Sequence, residues 1–198
     1  MPTVGFYGSR NLVGAGVVQI GVAVGAFARA GRDIATGCAV GADAVALAAA
    51  LSSAGPSRTH IYAAFDEFGR GAWRMSNVKA VLMAAAAGAD VHWLAGGPLT
   101  YSLVYRLAAR SRKMVAGVTG GPQDVHSGIV GWITAPPPGS PGSWGTVRFA
   151  AGVGLRIVVC NVGWPSALLP VLGAGAWVPA GKGLWASAWL WKHGRALE

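Results

Sequence analysis

Short apolar runs alternate with longer small-residue stretches along the whole chain, and glycine punctuates nearly every junction. Thr3–Tyr7 reads as a β-rich run that stops at Gly8-Ser9-Arg10. Leu12 to Ala30 carries a helical pattern closed by Gly31. Asp33–Thr36 is a second brief strand, leading through Gly37–Asp43 into an alanine-rich helix that reaches Leu51 and breaks at Gly55-Pro56. His60–Phe65 reads as a third strand, followed by a polar loop with Asp66, Glu67, Arg70 and Arg74. A helix capped by Ser76 then runs through Ala87 to Gly88. Val91–Ala95 is a fourth strand, stopped at Gly96-Gly97-Pro98.

Thr100 is the expected cap of the next helix. Its inner face is Leu99, Leu103, Val104 and Leu107, with Arg106, Arg110 and Lys113 on the opposite stripe. After a loop over Gly117–Gly128 come a strand at Ile129–Thr134, a Pro/Gly/Ser-rich run from Pro136 to Thr146, a short helix at Val147–Ala151, and the apolar strand Leu155–Cys160. Strands separated by helices of this size imply an α/β fold: a three-layer, Rossmann-like, mainly parallel sheet with helices on both faces. Ile129–Ile133 and Ile157–Cys160 are apolar enough to be covered on both sides. The periodicity weakens past Gly173, where Trp177, Trp185, Trp189 and Trp191 fall. An edge strand at Ala176–Pro179 with a C-terminal helix packing those rings on the body is one expectation, and an oligomer contact is the other. The organisation expected is one domain over residues 1–163 and a tryptophan-rich extension over 164–198.

Composition narrows the class. With 198 residues, 53% of them hydrophobic and 12% charged, the chain is long enough for one sizeable core and unlike a disordered protein. The apolar stretches Leu12–Ala28 and Ile34–Leu51 are interrupted by Gln19 and Asp43, so they read as buried helices rather than membrane spans, and no membrane role is expected. Met1-Pro2-Thr3-Val4 has no basic stretch ahead of an apolar core, so no signal peptide is expected. Cys38 and Cys160 lack the pairing of a disulfide framework or zinc site and read as buried, reduced thiols of a cytoplasmic protein. His60, His92, His126 and His193 show no ligand spacing along the chain. No metal and no cofactor are expected, and His92 reads as structural. The 16 basic against 7 acidic residues give a net charge of +9, which suits phosphates or nucleic acid or is a generically basic surface.

Three glycine-rich segments sit where a strand ends and a helix begins: Gly8-Ser9-Arg10, Gly37–Asp43 and Pro138–Thr146. In a parallel sheet such junctions share one edge, the edge where ligands bind. Glycine lets the backbone approach a phosphate, and the next helix offers unpaired N–H groups. Ser9, Ser143 and Thr146 can add hydroxyl donors and Arg10 a charge. Arg10 can instead pair with Asp43 or Asp66, although arginine suits bidentate phosphate recognition. Asp43 reads first as a helix cap. The Arg106/Arg110/Lys113 stripe reads first as a solvated face, and otherwise as a phosphate-binding stripe or pocket wall. Trp144 can stack on a base or plug the sheet edge. Neither G-x-G-x-x-G nor a Walker lysine motif is present, which argues against dinucleotide or triphosphate binding of the usual kinds.

Gly8-Ser9-Arg10, Thr36–Asp43, Ala109–Val115 and Gly142-Ser143-Trp144-Gly145-Thr146, in that order, resemble the SLOG superfamily, which takes in DprA (Smf), the LOG enzymes and YspA/YpsA-like proteins. The similarity spans about residues 3–163. It implies a Rossmann-like domain binding nucleotides, nucleotide-derived signals or nucleic acid. By the same resemblance, Gly8, Ser9 and Arg10 face the phosphate, and Gly37, Gly41 and Asp43 line the second loop. Gly142, Ser143, Gly145 and Thr146 form the other clasp. Arg110 and Arg112 match the family's R-x-R segment. Homo-oligomers are common in the group.

The chain departs from the LOG pattern: Ser143 replaces a glycine, and Phe149 stands where the catalytic glutamate belongs. An N-glycosidic hydrolase is therefore disfavoured. Residues past Trp164 match no winged-helix or sterile-alpha domain of the DprA kind. The expected partner is a phosphorylated nucleotide-like molecule, with single-stranded DNA as the alternative.

Overall fold

A computed structural model describes residues 1–119 and 127–194. Eight strands form one sheet: β1 (Thr3–Gly8), β2 (Asp33–Thr36), β3 (Thr59–Tyr62), β4 (Asp90–His92), β5 (Gly128–Ile133), β6 (Ile157–Asn161), β7 (Ala176–Pro179) and β8 (Ala188–Lys192), in the spatial order β4-β3-β2-β1-β5-β6-β8-β7. From β4 to β6 every neighbouring pair is parallel, whereas β8 runs antiparallel to both β6 and β7. The connecting helices are α1 (Ala15–Arg29), α2 (Ala42–Ser53), α3 (Val78–Ala86), α4 (Leu103–Ala116) and α5 (Pro141–Gly152). The α/β expectation of a mainly parallel sheet between helical layers is met.

The strand alternation sorts the core into layers. Val4 and Phe6 of β1 and Val130 and Trp132 of β5 face α1 and α2, packing with Ile20, Val24, Ala46 and Ala50. Tyr7 of β1 and Ile129 and Ile133 of β5 face α4 and α5, packing with Met114, Val115, Val147 and Ala150. A third group, including Leu47, Ile61, Phe65 and Val81, seats α3 on the α2 side. No described helix is long and apolar enough to cross a membrane.

Several local expectations need correction. The residues after Trp185 form strand β8, not a helix, and β7 and β8 make an antiparallel hairpin that extends the sheet beyond β6. Alternation explains this: Ala188 points into the α1 and α2 side while Trp191 enters the α4 and α5 side, as a period of two requires. The segment Pro141–Thr146 is not loop; it is the first half of α5, with Pro141 at the first helical position. Ser102, not Thr100, caps α4, its hydroxyl accepting from the Tyr105 N–H at 3.3 Å. Ser76 accepts from Trp73 N instead of capping α3, whose N-cap is Asn77. The loop expected over Gly117–Gly128, with His126, falls mostly outside the described residues.

Candidate functional site

After β1 the chain moves outward to β2, and the partner on the other side of β1 is β5. The loops leaving β1 and β5 therefore diverge, and a crevice must open between them at the carboxyl edge. A cavity of about 640 Å³ occupies that place. Gly8 at the end of β1 and Ser9, Arg10 and Asn11 after it line one side, and Ser140, Pro141, Gly142, Ser143, Gly145 and Thr146 at the start of α5 line another. Ala39 and Asp43 come from the β2–α2 turn, and Leu103, Val104, Leu107, Ala108, Arg110, Ser111, Arg112 and Met114 come from α4. All three glycine-rich junctions meet there.

The helix end of α5 is the most ligand-ready element. Its first intrahelical bond runs from Trp144 N to the Ser140 carbonyl, so the N–H groups of Gly142 and Ser143 have no partner inside the helix, and Pro141 has no N–H to offer. A Cβ added at Gly142 or Gly145 would meet nothing within 4 Å, so this approach is open. The Ser143 hydroxyl makes no hydrogen bond among the described residues. The other two hydroxyls are committed to the protein. Ser9 Oγ accepts from Thr134 N at 2.9 Å and lies 3.2 Å from Ser140 Oγ, pinning the β1 turn to the β5 and α5 turn. Thr146 is buried and donates to the Gly142 carbonyl at 3.1 Å.

Arg10 pairs with neither Asp43 nor Asp66. Its guanidinium lies 4.6 Å over the Trp73 ring in the cavity wall, a cation–π contact that holds the side chain while leaving its charge available. Asp66 turns back on its own loop, accepting from Phe68 N, Arg70 N and Arg70 Nε.

The stripe on α4 is inverted relative to expectation. Arg106 and Arg110 are each only 6% exposed, whereas Val104 is 80% exposed. Arg106 donates to the carbonyls of Ala64, Gly71 and Tyr101, bracing the loop that carries Trp73. Arg110 Nη1 donates to Asp43 Oδ2 at 3.1 Å. Burial disfavours the protonated Arg110, but the Coulombic pull of the Cys38 sulfur and of the hydrogen-bonded Asp43 carboxylate outweighs it and holds the group above its ordinary value. Lys113 stays exposed and does not line the cavity.

Asp43 is not a helix cap. It lies in the first turn of α2, but its Oδ2 accepts from Ala39 N at 3.2 Å and from Arg110. Gly37 and Gly41 do not line the cavity; Gly37 permits this pairing, and Gly41 permits the close approach of the turn after β1. A Cβ on Gly37 would overlap Arg110 Nη1 and Asp43 Oδ2, and Gly41, at φ +76°, packs against the Ser9 and Arg10 carbonyls. Gly8 is likewise pressed against the Trp132 carbonyl and Ala42 Cβ, although it also borders the cavity.

Trp144 plugs the core: it is 1% exposed, donates to the Ala135 carbonyl and meets Trp164 edge-on at 5.9 Å. Phe149 packs against the core beneath Arg112 and does not border the cavity. Asp43 is the one carboxylate among the lining residues. Sequence reasoning missed Tyr7, Trp73 and the apolar wall of Leu103, Val104, Leu107 and Met114. Tyr7 Oη and Arg110 Nε are buried with no hydrogen-bond partner among the described residues, an uncommon state for polar atoms beside a cavity. Burial, and to a lesser degree the nearby Cys160 thiol, push the Tyr7 hydroxyl well above its usual range. Both cysteines are buried free thiols, and burial pushes Cys160 up to about 12.

No family model and no curated protein matches the chain. Among solved structures it is similar to DNA processing protein A (DprA) from Streptococcus pneumoniae, with a TM-score of 0.58 and 18% identity over 85% of this chain and 53% of that one. The fold is that of the DprA Rossmann-like domain. A second similar structure is DprA from Helicobacter pylori, solved to show its single-stranded DNA binding mode, with a TM-score of 0.58 and 19% identity over 80% of this chain and 65% of that one. The chain thus spans between about half and two thirds of these proteins. At such identity the likeness establishes the fold alone.

Proposed function

We propose that this protein binds a phosphorylated, nucleotide-like small molecule in the cavity at the carboxyl edge of the sheet. The observation that carries this reading is the open N-terminus of α5 facing a cavity that Arg10, Arg110 and Arg112 also border. The phosphate sits on the N–H groups of Gly142 and Ser143, where the helix dipole and a nearby guanidinium favour an anion. Gly145, Ser143 and Arg10 complete that contact, with Ser9 behind it. The apolar wall of Trp73, Leu103 and Leu107 takes the ring. Gly8, Gly37, Gly41, Asp43, Arg110 and Thr146 hold the turns in position. The SLOG-type motifs and the DprA-like fold support the same placement. Cytoplasmic residence and a homo-oligomeric state belong to this reading.

The test is thermal melting against nucleoside monophosphates and the matching nucleosides. A ligand that prefers the native state raises the melting temperature. The expected result is a shift with monophosphates that nucleosides do not give and that Arg10→Ala removes. A flat response across the panel overturns the reading.

A second reading, single-stranded DNA binding, is favoured by the Helicobacter DprA neighbour and by the net charge of +9. Exposed Tyr105 and Val104 on α4 would offer it a surface beside the cavity mouth. Oligonucleotide binding across a salt series discriminates, because log affinity falls linearly with log salt in proportion to the phosphates neutralised. A hydrolase of the LOG type finds no support, because Asp43 is already bound to Arg110 and Ala39.

A further inference from the structure

The parallel register of β3 and β4 opposes His60 to Asp90 and Tyr62 to His92. Residues two apart on a strand share a face, so both imidazoles and the carboxylate stand together on the α4 side of the sheet. The Asp90 carboxylate lies between the rings: Oδ2 is 2.9 Å from His60 Nδ1 and 3.2 Å from His92 Nε2. One donor atom from each of the three residues falls within 4.8 Å of the others. None of its members borders the cavity, and the nucleotide reading does not use it.

We propose that His60, Asp90 and His92 form a binding site for a divalent first-row transition-metal ion. A tetrahedral ion with nitrogen and oxygen bonds of about 2.0–2.1 Å sets its donor atoms about 3.3 Å apart, and an octahedral one about 2.9 Å apart. The two histidine–carboxylate spacings match these edges, and the two histidine nitrogens, within 4.8 Å of each other, reach the same edge by side-chain rotation. Two imidazoles with one carboxylate select zinc, cobalt or nickel over calcium and magnesium, which prefer all-oxygen shells.

The surroundings pre-orient the donors. His60 offers Nδ1 to the site while its Nε2 lies 3.6 Å from Asp33 Oδ2, and Asp33 is itself held by Arg58 Nε at 3.3 Å. That carboxylate is an ion-pair neighbour of the ring and favours the orientation that turns Nδ1 toward the site. The His92 ring stacks on Tyr62 at 4.3 Å and 14°. Asp90 is exposed and the rings are partly so, which leaves coordination positions open to water. Bound there, an ion ties the short edge strand β4 to β3.

The experiment is titration of the intact, tag-free, chelator-stripped protein with Co²⁺, followed by visible absorption, with Zn²⁺ in competition and by calorimetry. The expected result is saturable binding of one equivalent, displaced by Zn²⁺ and accompanied by a higher melting temperature. His92→Ala and Asp90→Ala, checked for folding by circular dichroism, weaken binding at least about tenfold. Asp33→Asn, which touches no metal, weakens it by about 10-fold or more. His193→Ala leaves it unchanged. Absence of saturable binding of either ion, or binding retained in both His92→Ala and Asp90→Ala, overturns the proposal. Nucleotide-dependent melting is unaffected by these variants, so failure here leaves the cavity reading standing.

Discussion

Arg110 Nη1 donates to Asp43 Oδ2 across 3.1 Å, joining residues 67 positions apart in the chain within the cavity wall. Both side chains are less than a tenth exposed, so neither charge has water as a substitute partner. Removing one partner of such a pair strands the other. Asp43→Ala is expected to cost about 3–5 kcal/mol. Urea denaturation measures it, and the paired replacement Asp43→Leu with Arg110→Met is expected to recover much of the loss. Single variants as stable as the parent would mean the pair is solvated after all.

The glycines divide into two groups. Gly37→Ala drives a methyl into the Arg110–Asp43 contact, and Gly41→Ala forces a positive φ against two carbonyls. Each is expected to destabilise by about 1–3 kcal/mol. Gly142→Ala and Gly145→Ala lie in a helix with open space around them, so their melting temperatures are expected to hold or rise, by up to about 1 kcal/mol of helix propensity. Under the nucleotide reading Gly142→Ala nonetheless reduces the ligand-induced shift, because the added methyl stands beside the N–H groups that meet the phosphate.

Tyr7 carries a buried hydroxyl with no partner among the described residues. Deleting an unsatisfied polar atom while keeping the ring removes a desolvation penalty, so Tyr7→Phe is expected to stabilise the unliganded protein by about 1 kcal/mol. A loss of stability in chemical denaturation would show that the hydroxyl has a partner, such as an ordered water.

Asp66 supplies a pH dependence. Burial pushes its carboxyl up, but the N–H groups of Arg70 and Phe68 and the Arg70 guanidinium outweigh that and hold it below its ordinary value of 3.8. A depressed carboxylate contributes stability above its unfolded pKa and loses it as pH falls through the folded one. The parent is therefore expected to lose stability relative to Asp66→Asn below about pH 4, with no change in their difference from about pH 5 to 7. Urea midpoints of both proteins across that range measure it.

Layering and strand identity were readable because they depend on local period. Val4 and Phe6 alternate with Gly5 and Tyr7, and the two sets enter opposite layers. The convergence of the three glycine-rich junctions also followed from the parallel order. The strand at Ala176–Pro179 was readable, but β8 was not, since Ala188 to Lys192 acquires its strand form by pairing with β6 and β7.

What the chain determined by itself was most of the elements as far as β6, their order and the edge at which their turns would meet, because periodicity and turn chemistry are local properties. Which face of α4 lies inside was decided only in three dimensions. A helical stripe bearing Arg106 and Arg110 looks solvated until Ala64, Gly71 and Asp43 arrive from distant segments to satisfy the guanidinium groups. The same holds for His60, which lies 30 positions before Asp90 and meets the Asp90–His92 pair only through the β3–β4 register. Strand register is set by long-range pairing, and that pairing brings His60 to the two side chains that local alternation already places on one face of β4.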